Sequence, residues 1–464
     1  MAQSTAAAAP TRGHPKGLYL LFTTEMWERL SYYGMRALLV LYMTDKTRGG
    51  LGWNQEKALE LYGLYTGAVY LTPVVGGWIA DRFLGQRRSI LLGGFLMMLG
   101  QFMLAVPGGA LSLFYGGLLL LVVGNGFFKP NISTMVGGLY APGDARRDGA
   151  FTIFYMGINL GALIAPVVSG TLGEKVGWTW GYASAGIGMG LGLISFLLFA
   201  KRLLGNVGLA PQKVENKAAV AAPQAALTRQ EVDRIIVILV LALFVVFFWA
   251  AFEQAGGLMN LYTDAKVDRS VFGWEVPTTW FQAVNPVFIL LLGPIFAELW
   301  TGLGRSGKDP SIPKKMAFGL MLVAFGFVFM LGASKQSDAM GKAGLMWVVA
   351  AYFFHTAGEL CLSPVGLSMV TKLAPARYAS ALMGVWFLSN AVANYLAGKI
   401  GTYAERLGEF QLFLSITIAS AAAGVVLLAL APMLKRMMHG ADEARPAAPA
   451  PTANGSEQPK TQVA

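Results

Sequence analysis

Apolar and polar positions divide this chain into twelve apolar segments separated by short polar stretches, each segment long enough to cross about 30 Å of hydrocarbon. They fall near 18–43, 57–80, 88–106, 110–136, 149–171, 178–203, 231–263, 276–303, 315–333, 343–374, 379–402 and 410–434. One interruption stands out. Between the sixth and seventh segments lies GNVGLAPQKVENKAAVAAPQAALTRQ, polar, rich in Ala and Pro, and without an apolar run. The pattern predicts five parts: a disordered tail over 1–17, a six-helix bundle over 18–203, a linker over 204–230, a second six-helix bundle over 231–436, and a Pro/Ala-rich disordered tail over 437–464.

Composition narrows the class. With 55% hydrophobic and 13% charged residues, the chain has about half the charge expected of a soluble globular protein of this length. Runs such as IIVILVLALFVVFFWAAF need the bilayer as their solvent, so the reading is an all-α, multi-spanning membrane protein. No cleavable signal peptide is expected in the small, polar start MAQSTAAAAPTRGHPKG. With both termini on the cytoplasmic side, 23 of the 36 Lys and Arg fall in inner segments and 10 in outer loops. The net charge of +11 thus reads as a topology signal rather than a nucleic-acid footprint. A single cysteine, Cys361, rules out a disulfide within the chain and a Cys-rich metal site.

The first apolar segment breaks its own pattern. TTEMWERLSYYGMR, residues 23–36, carries two glutamates and two arginines. At about 100° per residue, Glu25, Glu28, Arg29, Tyr32, Tyr33 and Arg36 share an arc of roughly 140° on one helix. Exposing those charges to lipid would cost on the order of 10 kcal/mol, so the face lines protein or water. Two readings stay open: Glu25 or Glu28 neutralises Arg29 as a structural clamp, or the cluster works. Other spans hold polar groups among aromatics: NGFFKPNIS with Lys129, FYMGINLGALIAP with Asn159, FWAAFEQAGG with Glu253, FQAVNPVFI with Asn285, FFHTAGELCLSPVG with His355 and Glu359, and MGVWFLSNAVAN with Trp386. Pro130, Pro286 and Pro364 are expected to kink their helices.

Residues 76–88, GGWIADRFLGQRR, resemble the loop signature of the major facilitator superfamily. Gly77 would allow close helix approach, Asp81 would accept from arginines or cap a helix end, and Arg82, Arg87 and Arg88 would complete a cytoplasmic gate motif. The E-x-x-E-R-x-x-Y-Y-G pattern, the F-Y-x-x-I-N-x-G and FFKPN segments and G-E-L-x-x-S-P together closely resemble the proton-dependent oligopeptide transporter family, from about Gly17 to Leu434. That resemblance implies a major facilitator fold of twelve transmembrane helices and import of di- and tripeptides with protons. On it, Glu25, Glu28 and Arg29 look like the proton-coupling motif, and Glu253 like the protonatable partner of Arg36. Arg36 and Lys129, with Tyr33, look like the pole for the peptide carboxylate. Glu359, with Asn159 and Asn285, looks like the pole for the ammonium; Tyr70, Trp249, Trp386 and Ser363 look like further substrate contacts. Lys129 is expected to pair with Glu359 across the bundles, as Arg36 with Glu253.

The chemistry has its own logic. Every zwitterionic peptide offers one carboxylate, one ammonium and at least one amide, so a cationic and an anionic pole serve the whole class. Aromatic walls then tolerate varied side chains. Departures are Leu30 where the family often has phenylalanine, and a linker too polar and short for the two extra helices of many bacterial relatives. His355 is open between a proton relay and a packed neutral ring; Trp249 and Trp386 between pocket wall and packing; Asn159 and Asn285 between substrate contact and interhelical bond. An enzyme is not expected: His and Cys are scarce. The rival reading is a proton-coupled transporter of another small solute, such as nitrate or a peptide-like drug. A bacterial cytoplasmic membrane, a working monomer, and no cofactor beyond the coupling proton complete the expectations.

Overall fold

The computed structural model describes residues 13–141, 144, 146–211 and 227–441. Most of both expected tails and residues 212–226 of the linker lie outside the described residues. The first bundle is built from α1 (Lys16–Thr44), α2 (Gln55–Ile79), α3 (Gln86–Leu104), α4 (Leu111–Gly138), α5 (Arg146–Thr171) and α6 (Trp178–Leu204). The second comprises α7 (Arg229–Phe252), the short α8 (Leu258–Lys266), α9 (Val284–Arg305), α10 (Ile312–Met340), α11 (Leu345–Leu373), α12 (Ala379–Gly401), the four-residue α13 (Ala404–Leu407) and α14 (Glu409–Met437). Eight of these helices are long and apolar enough to cross a membrane. The remaining long helices, α1, α2, α3 and α12, include the one with the charged face.

Local sequence accounts for the starts and breaks. Thr228 caps α7 in a reciprocal capping box with Glu231, and Asn54 caps α2 by accepting from the Lys57 amide at 3.1 Å. The seventh apolar run, expected as one span over 231–263, breaks at a 3₁₀ turn, Glu253–Gly256, before α8. Gly256 and Gly257 follow one another there, and glycine is a poor helix former. Pro286, expected to kink its helix, sits in the first turn of α9, where its missing N–H interrupts no helical bond. Pro130 is inside α4. Four two-residue strands finish the connections: β1 (Val267–Asp268) pairs in parallel with β4 (Ala343–Gly344), and β2 (Ser270–Val271) forms a hairpin with β3 (Trp274–Glu275).

Each half buries its own core. Met35, Leu38, Phe128, Tyr182 and Phe196 belong to one, and Phe248, Phe327, Met330, Phe413 and Leu427 to the other. The halves meet along two seams, α2 against α12 and α5 against the 278–283 turn and α9. The first seam depends on glycine: a side chain on Gly63 would collide with the backbone of Gly398, and one on Gly398 with that of Gly63. The bonds that join the halves gather at the end carrying segments 45–54, 172–177, 267–277 and 402–408, called here the loop end. The opposite end, where α6 stops and α7 starts, is the linker end.

Candidate functional site

The charged face of α1 folds inward, as its insertion cost demands. Glu25, Glu28 and Arg29 are all buried. Arg29 Nε donates to Glu28 Oε2 at 2.5 Å and stands 3.2 Å from Glu25 Oε1, one helical turn away. Asn125 of α4 reaches the other oxygen of Glu28 at 3.4 Å. The guanidinium also lies 5.3 Å from the centre of the Tyr32 ring and 5.9 Å from that of Tyr33. Two carboxylates therefore share one arginine. Glu25 Oε2 and Arg29 Nη2 are buried without a hydrogen-bond partner.

Two turns along α1, Arg36 forms a bundle-spanning ion pair with Glu253, whose carboxylate stands where α7 breaks. Its Nε donates to the Tyr62 hydroxyl at 2.7 Å, and the Tyr33 ring lies 5.9 Å away. The second expected bundle-spanning pair is not formed. Lys129 lies over the Tyr70 ring with Nζ 4.5 Å from its centre, and Glu359 accepts from Asn285 Nδ2 at 2.9 Å. Neither has an ion-pair partner among the described residues. The physical reason is that Lys129 sits on α4 and Glu359 on α11, in different bundles whose contacts gather at the loop end.

The remaining candidates are dispersed around these charges. Asn285 also donates to the Thr356 hydroxyl at 3.0 Å, so α9 and α11 hold Glu359 together. Asn159 is turned to its own helix, donating to the Tyr155 carbonyl at 3.0 Å. Trp249 makes edge contacts with Phe248 and Phe252 at 5.2 and 5.1 Å between ring centres. Trp386 is buried over Gly366 of α11, and Ser363 is half-buried on the same helix. His355 is buried between the rings of Phe327 and Phe252, at 4.7 and 6.3 Å, and its edge fills the space left by Gly326.

The loop signature is arranged differently from its expectation. Gly77 stands opposite the Pro130 ring. Asp81, expected to accept from arginines or cap a helix, lies in the Ala80–Leu84 turn with no bonded partner among the described residues. Arg87 caps the end of α6 instead, donating to the carbonyls of Val207 and Gly205 at 2.7 Å each, because a helix C-terminus presents unpaired acceptors that suit a cation. Arg82 is exposed beside Trp78 and Phe83, and Arg88 is exposed. Sequence reasoning missed Tyr62, Asn125 and Glu174. The Glu174 side chain is enclosed between the halves, accepting from the amides of Thr278 and Thr279 at 2.8 Å each and from the Thr279 hydroxyl at 2.7 Å. Among the described residues, no group of three or more His, Cys, Asp or Glu side chains is placed to hold a metal ion.

The chain as a whole has known relatives. The chain matches the family model described as POT family over residues 87–230 and 201–411. It is 37% identical to the peptide transporter YePEPT of Yersinia enterocolitica, across 92% of this chain and 96% of that protein. The chain belongs to the POT family. Its structure superposes on that of the peptide transporter POT in complex with sulfate with a TM-score of 0.86 at 38% identity, covering 93% of this chain and 97% of the other. A substituted form of the same transporter in complex with alafosfalin gives a TM-score of 0.84 at 37% identity, covering 93% and 97%. This POT family member is accordingly a multi-pass membrane protein with the major facilitator fold.

Proposed function

We propose that the protein imports di- and tripeptides together with protons across a bacterial cytoplasmic membrane. The observation that supports this reading is the unmatched pair: Lys129 in one bundle, over the Tyr70 ring, and Glu359 in the other, held by Asn285, neither with an ionic partner among the described residues. Both side chains are half-buried rather than enclosed, so each is open to a ligand, and a zwitterionic peptide supplies the opposite charge to both at once. Arg36 joins the cationic pole whenever it leaves Glu253. Proton and peptide then favour each other, because protonating Glu253 removes the competitor for the guanidinium that the peptide carboxylate needs. At the α1 cluster, Glu25 and Glu28 share Arg29, and a proton taken up there neutralises one of the two carboxylates. With both termini cytoplasmic and twelve helices crossing the bilayer, the loop end faces outward, and its interhalf bonds describe an inward-facing state. Coupling needs no cofactor and no covalent chemistry, so the reading is a transporter and not an enzyme.

Dialanine and acetylated dialanine, tested on wild type and Glu359→Gln, distinguish a peptide site from a site for another solute. A charge-assisted bond to the ammonium contributes about 1.5–3 kcal/mol, or roughly 10- to 150-fold in affinity. Acetylation should weaken binding to wild type by that factor and to the variant far less. Additive losses would remove Glu359 from the ammonium site. Uptake of labelled dialanine into proteoliposomes should also require an imposed proton gradient for accumulation. Accumulation without a gradient would sink the proton-coupled reading.

A further inference from the structure

At the linker end of the second bundle a cleft of about 760 Å³ opens between the 307–311 turn, the start of α10 and the end of α14. Its lining includes Lys308, Lys314, Lys435 and Arg436, none of which has an ion-pair partner among the described residues. The one acid in the lining, Asp309, is already held by Lys315 at 2.7 Å. Ser311 also lines the cleft, at the N-cap of α10, and its hydroxyl is buried with no partner. Four cations and an unused hydroxyl form an anion receptor at a helix start where Pro313 leaves only the Ile312 and Lys314 amides open.

The cleft is amphipathic along the bundle axis. On α10, Phe318 follows Lys314 by one turn; on α14, Ala431 precedes Lys435 by one turn. Because α10 leaves this end while α14 arrives at it, both steps lead inward, about 6 Å deeper into the bundle. The charged rim thus stands over an apolar floor of Phe318, Ala431 and Pro432.

We infer that this cleft binds an anionic glycerophospholipid, with the phosphate among Lys314, Lys435 and Arg436 and the acyl chains descending past Phe318 and Pro432. A free phosphate shares the rim chemistry but makes no use of the floor. In the proposed orientation the cleft opens at the cytoplasmic leaflet, where anionic lipid attracts basic groups. The lipid would brace helices that already pack together, α10 on α14, with α14 further tied to α7 through His439 and Asp233 at 2.8 Å. Its effect is therefore expected on stability more than on turnover.

The test titrates the purified full-length protein in neutral detergent with dioleoyl phosphatidylglycerol, dioleoyl phosphatidylcholine and inorganic phosphate, reading bound lipid by native mass spectrometry and the melting temperature. Each cation near an anionic lipid surface is worth roughly five-fold in affinity, so the Lys314→Gln/Lys435→Gln double variant should lose about 25-fold for phosphatidylglycerol. The double variant Lys201→Gln/Arg202→Gln removes equal charge from an exposed part of α6 at the same end and should lose less than two-fold. Retained dialanine uptake checks that both variants fold. Equal losses in the two variants would assign the effect to diffuse surface charge and overturn the site. No preference for phosphatidylglycerol over phosphatidylcholine, or equal stabilisation by phosphate alone, would overturn the lipid as its ligand.

Discussion

The two ends of the molecule are held together by different kinds of bond. At the loop end, Glu174 of the first bundle caps the 278–283 turn of the second, Arg36 pairs with Glu253, and Glu60 and Glu56 reach Lys399 and Arg406. At the linker end, polar side chains tie each bundle to itself: Arg87 to the end of α6, Arg234 to the Met438 carbonyl at 3.2 Å, and His439 to Asp233. Both ends are rich in charge, so density of charge does not decide which is shut. The direction of the bonds does. Alternating access requires that the loop-end bonds break together, and they differ widely in how much each one holds.

The strongest test of this contrast is Arg36 with Glu253. Truncating one partner of a buried ion pair typically costs about 3–5 kcal/mol, because the other charge is left uncompensated. Glu253→Gln should shift the balance from the closed toward the open loop end by roughly 10²- to 4×10³-fold. Spin labels at Lys46 and Leu407, in a Cys361→Ala background, report the separation of the halves there. An unchanged distance distribution would mean that the pair does not hold the gate. The same variant should also weaken the pH dependence of peptide affinity, leaving only the part that the Glu25 and Glu28 cluster supplies.

Glu174 ranks next. Its carboxylate takes two backbone amides and one hydroxyl from the other bundle and lies 3.8 Å from Arg269. Bonds to a charged group contribute about 1.5–3 kcal/mol each, and water compensates part of the loss once the end opens. Glu174→Ala should widen the same label distance with a population shift of about ten- to a hundred-fold, and Glu174→Gln, which keeps one acceptor, by less. Identical distributions in Glu174→Gln and Glu174→Ala would show that packing rather than capping acts here.

These two residues also mark what the sequence discloses. Glu253 was legible because a charge inside an apolar run has to be accounted for, and the same argument placed the polar face of α1; the division into two bundles was read instead from the polar stretch between the sixth and seventh segments. Glu174 was not. It lies in LGEKVGW, between two helices, where a glutamate is ordinarily a solvated loop residue. Only its partners from residues 278–279, more than a hundred positions away, distinguish it. Lys129 and Glu359 were recognised singly but expected as a pair, because a sequence carries no information on which of two bundle arrangements a structure adopts. The break of the seventh run at Glu253 was similarly hidden, since hydropathy reads through a 3₁₀ turn, although the glycines after it signal one.

A smaller effect belongs to Asp45, which organises the 45–54 loop without crossing between halves. Its carboxylate accepts from the Trp178 indole at 2.8 Å and from the amides of Thr47, Arg48 and Gly50 at 3.0–3.1 Å. Burial alone would raise its pKa, but these bonds, the indole foremost, outweigh it and hold the pKa down to about 2. The stabilisation is thus complete above the unfolded value near 3.9 and is lost only as pH falls toward 2. Asp45→Asn should lower thermal stability by about 1–2 kcal/mol equally at pH 5.5 and pH 7.5. A variant whose deficit appeared at only one of those pH values would place Asp45 among the groups that titrate during transport.

The smallest effect is expected from the outermost pairs, Glu60 with Lys399 and Glu56 with Arg406 at 3.0 Å. They span the halves as Glu253 does, yet their side chains are 39–66% exposed. Exposed pairs contribute about 0.2–1 kcal/mol, because water solvates the separated charges nearly as well and holding two long side chains costs entropy. The seam beneath them is closed by Gly63 against Gly398, a contact with no charge and no salt dependence. A double-mutant cycle on Glu60→Gln and Lys399→Gln, read through the Lys46–Leu407 distance, should give a coupling within that range at low salt and a smaller one at 0.5 M, where the screening length is only a few ångströms. A coupling as large as that of Arg36 with Glu253, or one insensitive to salt, would show that the rim pairs and not the buried bonds decide which end is shut.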